Sequence, residues 1–349
     1  MIRFRLWLLL FPLYLFWACT HEEAEVPLST QLISVRDKFY DVEALSPEQA
    51  VVVGYNGRIL ITTDAGKTWQ AKDSGTDLAL YSVAFADPQT GWISGQDGLI
   101  LRTVNGGESW QKQESQTDMA IFALSFIDRN RGWGAADRAT YLRTTSGGES
   151  WEVGYIEPSL EGVGEDVTLA LVDPVLYDVH FIDEKQGWMV GEFGKIFHSA
   201  DGGVTWQEQQ NTLLGQAGID DALNLPAFFG VHFASAAEGV VVGLEGKIAK
   251  TTNGGEQWTF TAQDLALLST DPLYAPRLLE NGTGWIVGAA GRVLKLQDGE
   301  WKPVNLGTPI VTWLRAVDFF DANTGWIVGG YGTILHTTDG GKNWLQSLG

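Results

Sequence analysis

Seven residues stand at equivalent places in seven similar segments: Glu43, Ala84, Ser125, His180, His232, Arg277 and Asp318. Five of them are ionisable, and Asp41, Ser82 and Asp178 lie two residues before three members of the set. The intervening residues are apolar, as in Val83 with Phe85 and Val231 with Phe233, so the polar set shares the opposite face of a strand. If those strands surround a central channel, then Glu43, Asp178, His180, His232, Arg277 and Asp318 line it. Carboxylates, imidazoles and a guanidinium gathered there are a candidate seat for an ion or small anion. The plainer expectation is a water-filled lumen whose polar side chains are merely solvated.

Two further sets invite a functional reading. Arg102, Arg143, His198, Lys250 and His336 each precede the first residue of a recurring turn, with Lys295 in a worn copy and Ile61 in the first. Arg102, Arg143, Lys250 and Lys295 are candidates for a basic ring facing an anionic partner. The simpler expectation is a solvated strand edge, where cations discourage edge pairing. Acids mixed with apolar residues (Glu161, Glu165, Asp166, Asp220, Asp221, Phe228) fall in long connections, and Glu192 and Phe193 in a nearby turn. Long loops on a rigid scaffold concentrate function, which makes these the candidate partner-binding residues. No cofactor motif, metal-ligand spacing, G-x-S-x-G or phosphate loop appears.

The elements that must position these groups are repeats. Six copies read 62–69 (TTDAGKTW), 103–110 (TVNGGESW), 144–151 (TTSGGESW), 199–206 (SADGGVTW), 251–258 (TTNGGEQW) and 337–344 (TTDGGKNW). A seventh, 296–301 (LQDGEW), is worn. Each unit opens on an apolar or aromatic landmark: Tyr40, Tyr81, Phe122, Tyr177, Phe229, Tyr274 and, by position, Arg315. Eleven residues later comes a second: Val51, Trp92, Trp133, Trp188, Val240, Trp285 and Trp326. Between landmarks the pattern gives four short strands, for example 80–86, 92–95, 99–103 and one beginning at Trp110. Four antiparallel strands repeated seven times predict an all-β, seven-bladed β-propeller. Residues 28–35 are expected to supply or extend an edge strand where the ring closes.

The turn pattern is the Asp-box. Its Asp or Asn (Asp64, Asn105, Asp201, Asn253, Asp339) is expected to accept hydrogen bonds from its own turn, with glycine providing positive φ and the Trp packing between blades. Five such side chains read as turn pins, because an active site needs only one. Connections between units run to 26 residues (151 to 177), 23 (206 to 229) and 16 (258 to 274). They are expected to roof one sector of a single face.

The combined motif stands as GWISGQDGLILRTVNGGESW (91–110), GWMVGEFGKIFHSADGGVTW (187–206) and GWIVGGYGTILHTTDGGKNW (325–344). It resembles the photosystem II assembly and stability factor family over about 33–344. The resemblance implies an exported, non-enzymatic seven-bladed propeller, often a lipoprotein, that binds membrane-protein subunits and uses no cofactor. The rival class is a glycan-binding or sialidase-like Asp-box propeller, but arginines for a carboxylate-binding triad cannot be assembled here.

Arg3 and Arg5 precede an apolar run of 13 residues, 6–18, that ends at Cys19. This reads as a signal peptide over 1–19 with a lipobox-like Cys19, a polar tether over 20–30 and the propeller over 31–349. The expectation is a lipoprotein facing the periplasm, or the thylakoid lumen in a photosynthetic host, whose partner is a membrane or envelope protein. Cys19 is the single cysteine, so no intramolecular disulfide exists. With 43 acids against 23 Lys and Arg, the net charge of −20 disfavours nucleic acid as a partner.

Overall fold

The computed structural model describes residues 32–157, 173–216, 218–219, 224–261 and 270–347. Seven four-stranded antiparallel sheets follow one another along the chain, spanning 39–72, 80–113, 121–155, 176–208, 228–260, 273–303 and 314–346. We number these blades 1 to 7. In each, chain order is sheet order, from the inner strand outward. Blade 2 has strands Leu80–Asp87, Thr90–Gly95, Ile100–Thr103 and Gln111–Gln113. The inner strand of every blade packs on that of the next, and Leu314–Phe319 packs on Phe39–Ala44 to close the ring. The fold is an all-β, seven-bladed β-propeller.

A repeated aromatic triad joins the blades. Trp92 stacks on Phe126 of blade 3 with ring centroids 3.6 Å apart, and Trp151 meets the same Phe edge-on at 5.9 Å. The pattern recurs as Trp133 and Trp206 on Phe181, Trp188 and Trp258 on Phe233, and Trp285 and Trp344 on Phe319. Each second-strand Trp thus crosses to the next blade, and the box Trp braces its target. The indoles of Trp92, Trp133 and Trp188 also donate to box carbonyls of that blade, at Gly147, Gly202 and Gly254 (2.8–3.2 Å). The glycine preceding these Trp residues has a packing cause: a Cβ on Gly91 would come within 2.7 Å of the Phe85 ring.

The Asp-boxes are self-pinned turns. In the first, Asp64 accepts from the Thr68 amide (2.8 Å) and hydroxyl (2.6 Å), and Thr62 accepts from the Gly66 amide (2.9 Å). Asn105, Asp201, Asn253 and Asp339 make the equivalent amide contact at 2.9–3.1 Å, and Ser146 does so in the third box. Those bonds, tightest to ionised oxygen, hold the Asp339 carboxyl down at about 2.

Ring closure departs from expectation. The described part of the predicted edge segment, 32–35, forms turns rather than a strand, and residues 28–31 lie outside the described residues. Ile33 instead wedges among Ala316, Trp326, Val328 and Ile334 of blade 7 and Phe39 and Val42 of blade 1. The Gly332 amide donates to the Asp37 carbonyl at 2.8 Å. At the chain's other end Ser347 donates to the Gly66 carbonyl of the first box at 3.2 Å. No strand is shared because each blade already has four of its own.

Candidate functional site

The inner strands line a central lumen of about 270 Å³. It has two tiers of polar side chains beneath a collar of aromatic rings; alternation places the two tiers on one strand face, and a register shift at the collar position of every blade lets the preceding residue join them.

The polar tiers hold the blades together. Asp41 accepts from the Val42 amide and from Val83 of the next blade, both at 2.9 Å, and Asp178 does the same to Val179 and Val231 at 2.8 Å. Ser82 accepts from Leu124 (3.3 Å), Ser125 from Phe181 (3.0 Å) and the His180 Nδ1 from Phe233 (3.2 Å). Glu43 accepts from the Phe85 amide. Arg277 bridges His232 Nε2 at 2.9 Å and Asp318 at 3.0 Å, and Asp318 accepts from Ala44 at 2.8 Å, across the closing seam. All seven interfaces therefore carry a side-chain staple. The structure places Glu43, Asp178, His180, His232, Arg277 and Asp318 in this lining, with their polar groups engaged with protein.

Confinement changes their chemistry. Burial pushes the Asp41 carboxyl up to about 6 and Asp178 to about 7, outweighing the backbone hydrogen bonds that favour their charged forms. Glu43 rises well above the usual carboxylate range through burial and then the charge of Asp318. His180 is pushed down to about 3 by burial and by Arg277, and His232 moves the same way. Both imidazoles are thus neutral at pH 7. Acceptance at Nδ1 assigns the His180 proton to Nε2. At His232 both nitrogens face donors, Arg277 at Nε2 (2.9 Å) and the Leu278 amide at Nδ1 (3.4 Å), and the closer, charged donor assigns the ring proton to Nδ1. Among the described residues, no group of three His, Cys, Asp or Glu side chains is placed to hold a metal.

The collar sits at the start of the inner strands. Tyr40, Tyr81, Phe122, Tyr177, Phe229 and Tyr274 follow one another with ring centroids 5.0–5.9 Å apart. Arg315 takes the seventh place, its guanidinium 5.4 Å from the centre of the Tyr274 ring, and Trp313 stacks on Tyr40 at 5.8 Å. The signal was present in the sequence, because the opening landmark is aromatic in six units and Arg315 in the last. Read as a strand marker, that column was not recognised as a site.

The other candidates lie elsewhere. Each member of the proposed basic ring pairs across the sheet with the second-strand landmark: Arg102 with Trp92, Arg143 with Trp133, Lys250 with Val240 and Lys295 with Trp285. Lys295 lies 4.8 Å over the Trp285 ring and donates to the Gly340 carbonyl at 2.7 Å, while Arg143 pairs with Glu152 at 2.6 Å. His198 and His336 stack on Trp188 and Trp326. Arg102 and Lys295 thus lie over tryptophans, whereas Lys250, opposite Val240, is exposed; all four stand on the third strand of their blade, with a fourth strand outside it.

Glu192 accepts from the Val175 amide at 3.1 Å, Phe193 is half-buried, and Phe228 is fully buried, which removes it from any surface. Its burial follows from its place beside Leu213, Leu225 and Trp258 in one core cluster. Part of that second long connection covers the outer edge of blade 5, where Gln216 bonds the Trp258 carbonyl (2.9 Å) and the Phe260 amide (3.1 Å). Glu161, Glu165, Asp166, Asp220, Asp221 and Cys19 lie outside the described residues.

Self-pinned Asp-boxes and cross-blade tryptophans, around a channel whose polar groups are bound to the scaffold, define a closed Asp-box propeller. Within that class the chain belongs to the photosynthesis system II assembly factor YCF48 family, whose model matches residues 20–119, 161–260 and 273–348. No curated protein matches the chain. Among solved structures, YCF48 bound to D1 peptide is similar at 20% identity and a TM-score of 0.58, over 77% of this chain and 81% of that one. YCF48 from Cyanidioschyzon merolae has the same identity and score over 77% and 85%. A GH74 xyloglucanase from Xanthomonas campestris is 14% identical at a TM-score of 0.67, over 90% and 55%. At such identities these likenesses establish the fold alone.

Proposed function

We propose that the protein is a non-enzymatic assembly factor that holds a segment of a membrane or envelope protein on the face bearing the collar. Family membership supports the assembly role, and one of the similar structures holds a D1 peptide. The observation that carries the choice of face is apolar surface concentrated at the junction of blades 7 and 1. Val311, Val35, Tyr331 and Tyr55 are exposed there (81%, 76%, 65% and 53%), next to the half-buried Trp313 and Tyr40 of the collar. The chain between the two tyrosines links them, since Asp37 bonds the Gly332 amide and Lys38 the Tyr55 amide. Exposed valines and tyrosines gathered beside a ring of aromatic side chains suit a protein contact.

In this reading the chain is exported, and Cys19 carries the lipid that keeps the propeller at the membrane. Crosslinking in the native envelope, with photoreactive groups at Tyr55 and Tyr331, is expected to capture a membrane-protein partner. Equal groups at exposed Val104 and Val204, in the Asp-box turns, are expected to capture far less. Equal capture at all four positions, or turnover of xyloglucan or sialosides by the purified protein, would overturn the reading.

A further inference from the structure

The collar contains one cation, and that cation lacks a mate. Among the described residues Arg315 makes neither an ion pair nor a hydrogen bond, and its one specific contact is the Tyr274 ring. Burial lowers its pKa, partly offset by the more distant charges of Asp178 and Asp41. Those two carboxylates are already committed to four backbone amides. Arg315 is half-buried with its nitrogens open to the lumen, and its planar donor fork matches a carboxylate in two-point contact. Neighbouring rings of the collar stand 5.0–5.9 Å apart, so they form a near-continuous aromatic wall around the lumen beside Arg315.

We propose that Arg315 and the aromatic collar form a binding site for a single carboxylate carried on an aromatic or apolar body, entering along the channel axis. The guanidinium takes the carboxylate and the rings take the body. This rests on the choice of face made above and names the chemistry accepted there. The same group can come from a free aromatic acid or from the acidic end of a partner segment.

The charges acting on Arg315 are those of Asp178 and Asp41 and, after them, Tyr274 and Tyr177. A bound carboxylate adds negative charge beside two aspartates that titrate at about 7 and about 6, and so favours their protonated forms. Binding then takes up protons. Affinity rises as pH falls from about 8 to about 6, and declines only once the ligand's own carboxylate protonates. Simple attraction between an exposed arginine and an acid gives no such slope.

The test uses phenylacetate, its neutral amide, and a short peptide ending in Phe with a free or an amidated terminus, each titrated against the full chain by calorimetry and ligand-detected NMR. Saturable binding of both acids is expected, with at least about tenfold weaker binding of both amides. Arg315→Gln is expected to lose about tenfold or more with an unchanged melting temperature, and Arg315→Lys to lose less. Binding by phenylacetate but not the acid peptide assigns the site to small acids, and the reverse assigns it to chain ends. Equal binding of acids and amides by the native protein overturns the proposal, whether or not the variants fold. Absence of carboxylate binding by the native protein, while Tyr55 and Tyr331 still capture a partner, also overturns it and leaves the assembly role standing.

Discussion

Ala65 occupies the left-handed backbone position of the first Asp-box, at φ +60, where Gly106, Gly202, Gly254 and Gly340 stand in other boxes at φ +70 to +77. An alanine there costs about 1–2 kcal/mol, against about 0.4–1 kcal/mol that a glycine forfeits through unfolded-state freedom. Ala65→Gly is therefore expected to stabilise the fold by about 0.5–1 kcal/mol in urea unfolding. A loss of stability would show that Ala65 is held by contacts outside its turn. His180 makes a second residue-scale case. An unfolded histidine takes its proton near pH 6.5, whereas burial and Arg277 delay protonation in the fold to about 3. The folded state binds fewer protons in that window, so this group's contribution to stability is lost as pH falls from about 6.5 toward about 3. At pH 5, nitrogen-detected NMR should find a neutral imidazole with its proton on Nε2. An imidazolium at that pH would mean that the lumen is far wetter than its packing implies.

At the scale of strands, the Trp–Phe stack divides the interfaces into strong and weak. Blades 4 and 5 are joined by Trp188 on Phe233 at 3.5 Å, with an indole hydrogen bond to Gly254. Blades 5 and 6 have Val240 and Leu278 at the equivalent places, within the smallest of the apolar clusters. Hydrogen exchange is expected to proceed at least about tenfold faster in the inner strand of blade 6 than in that of blade 5. Uniform protection would show that the staples, not the aromatic stacks, set interface strength. Much at this scale was legible, because the constant 11-residue spacing from Tyr40 or Trp-bearing units fixes strand, turn and register together. The partner of each Trp was not, since a ring that crosses to the next blade leaves no local periodicity. The setting of two basic residues before the boxes was hidden for the same reason: Arg102 and Lys295 lie over a Trp on the neighbouring strand, which position along the chain does not reveal.

For the whole molecule, the question is what keeps a ring of seven independent blades shut. The sequence led to an expected shared strand, since that is the covalent way to join first blade to last. The structure closes without a shared strand, by packing and a few hydrogen bonds, which no pattern in residues 32–37 announces. Among the contacts that cross the seam are Trp69 against Trp326 at 5.6 Å, Trp313 on Tyr40, Asp318 to the Ala44 amide, Gly332 to the Asp37 carbonyl, and Ile33 seated in the blade 7 core. The ion pair of Arg58 with Asp37, 3.5 Å apart and partly exposed, adds little to them. Ile33 is only 6% exposed, whereas Val35, two residues on, is 76% exposed. Truncating a buried isoleucine to alanine costs about 2–5 kcal/mol, while an exposed valine changes stability by less than about 0.5 kcal/mol. Ile33→Ala is thus expected to lower the urea midpoint clearly and Val35→Ala hardly at all. It should also quicken exchange first in the inner strands of blades 1 and 7, because the ring must part there before any blade unfolds. Were the two substitutions equally mild, closure would have to rest on the Trp pair and the Asp318 staple, and the segment before blade 1 would be a passenger.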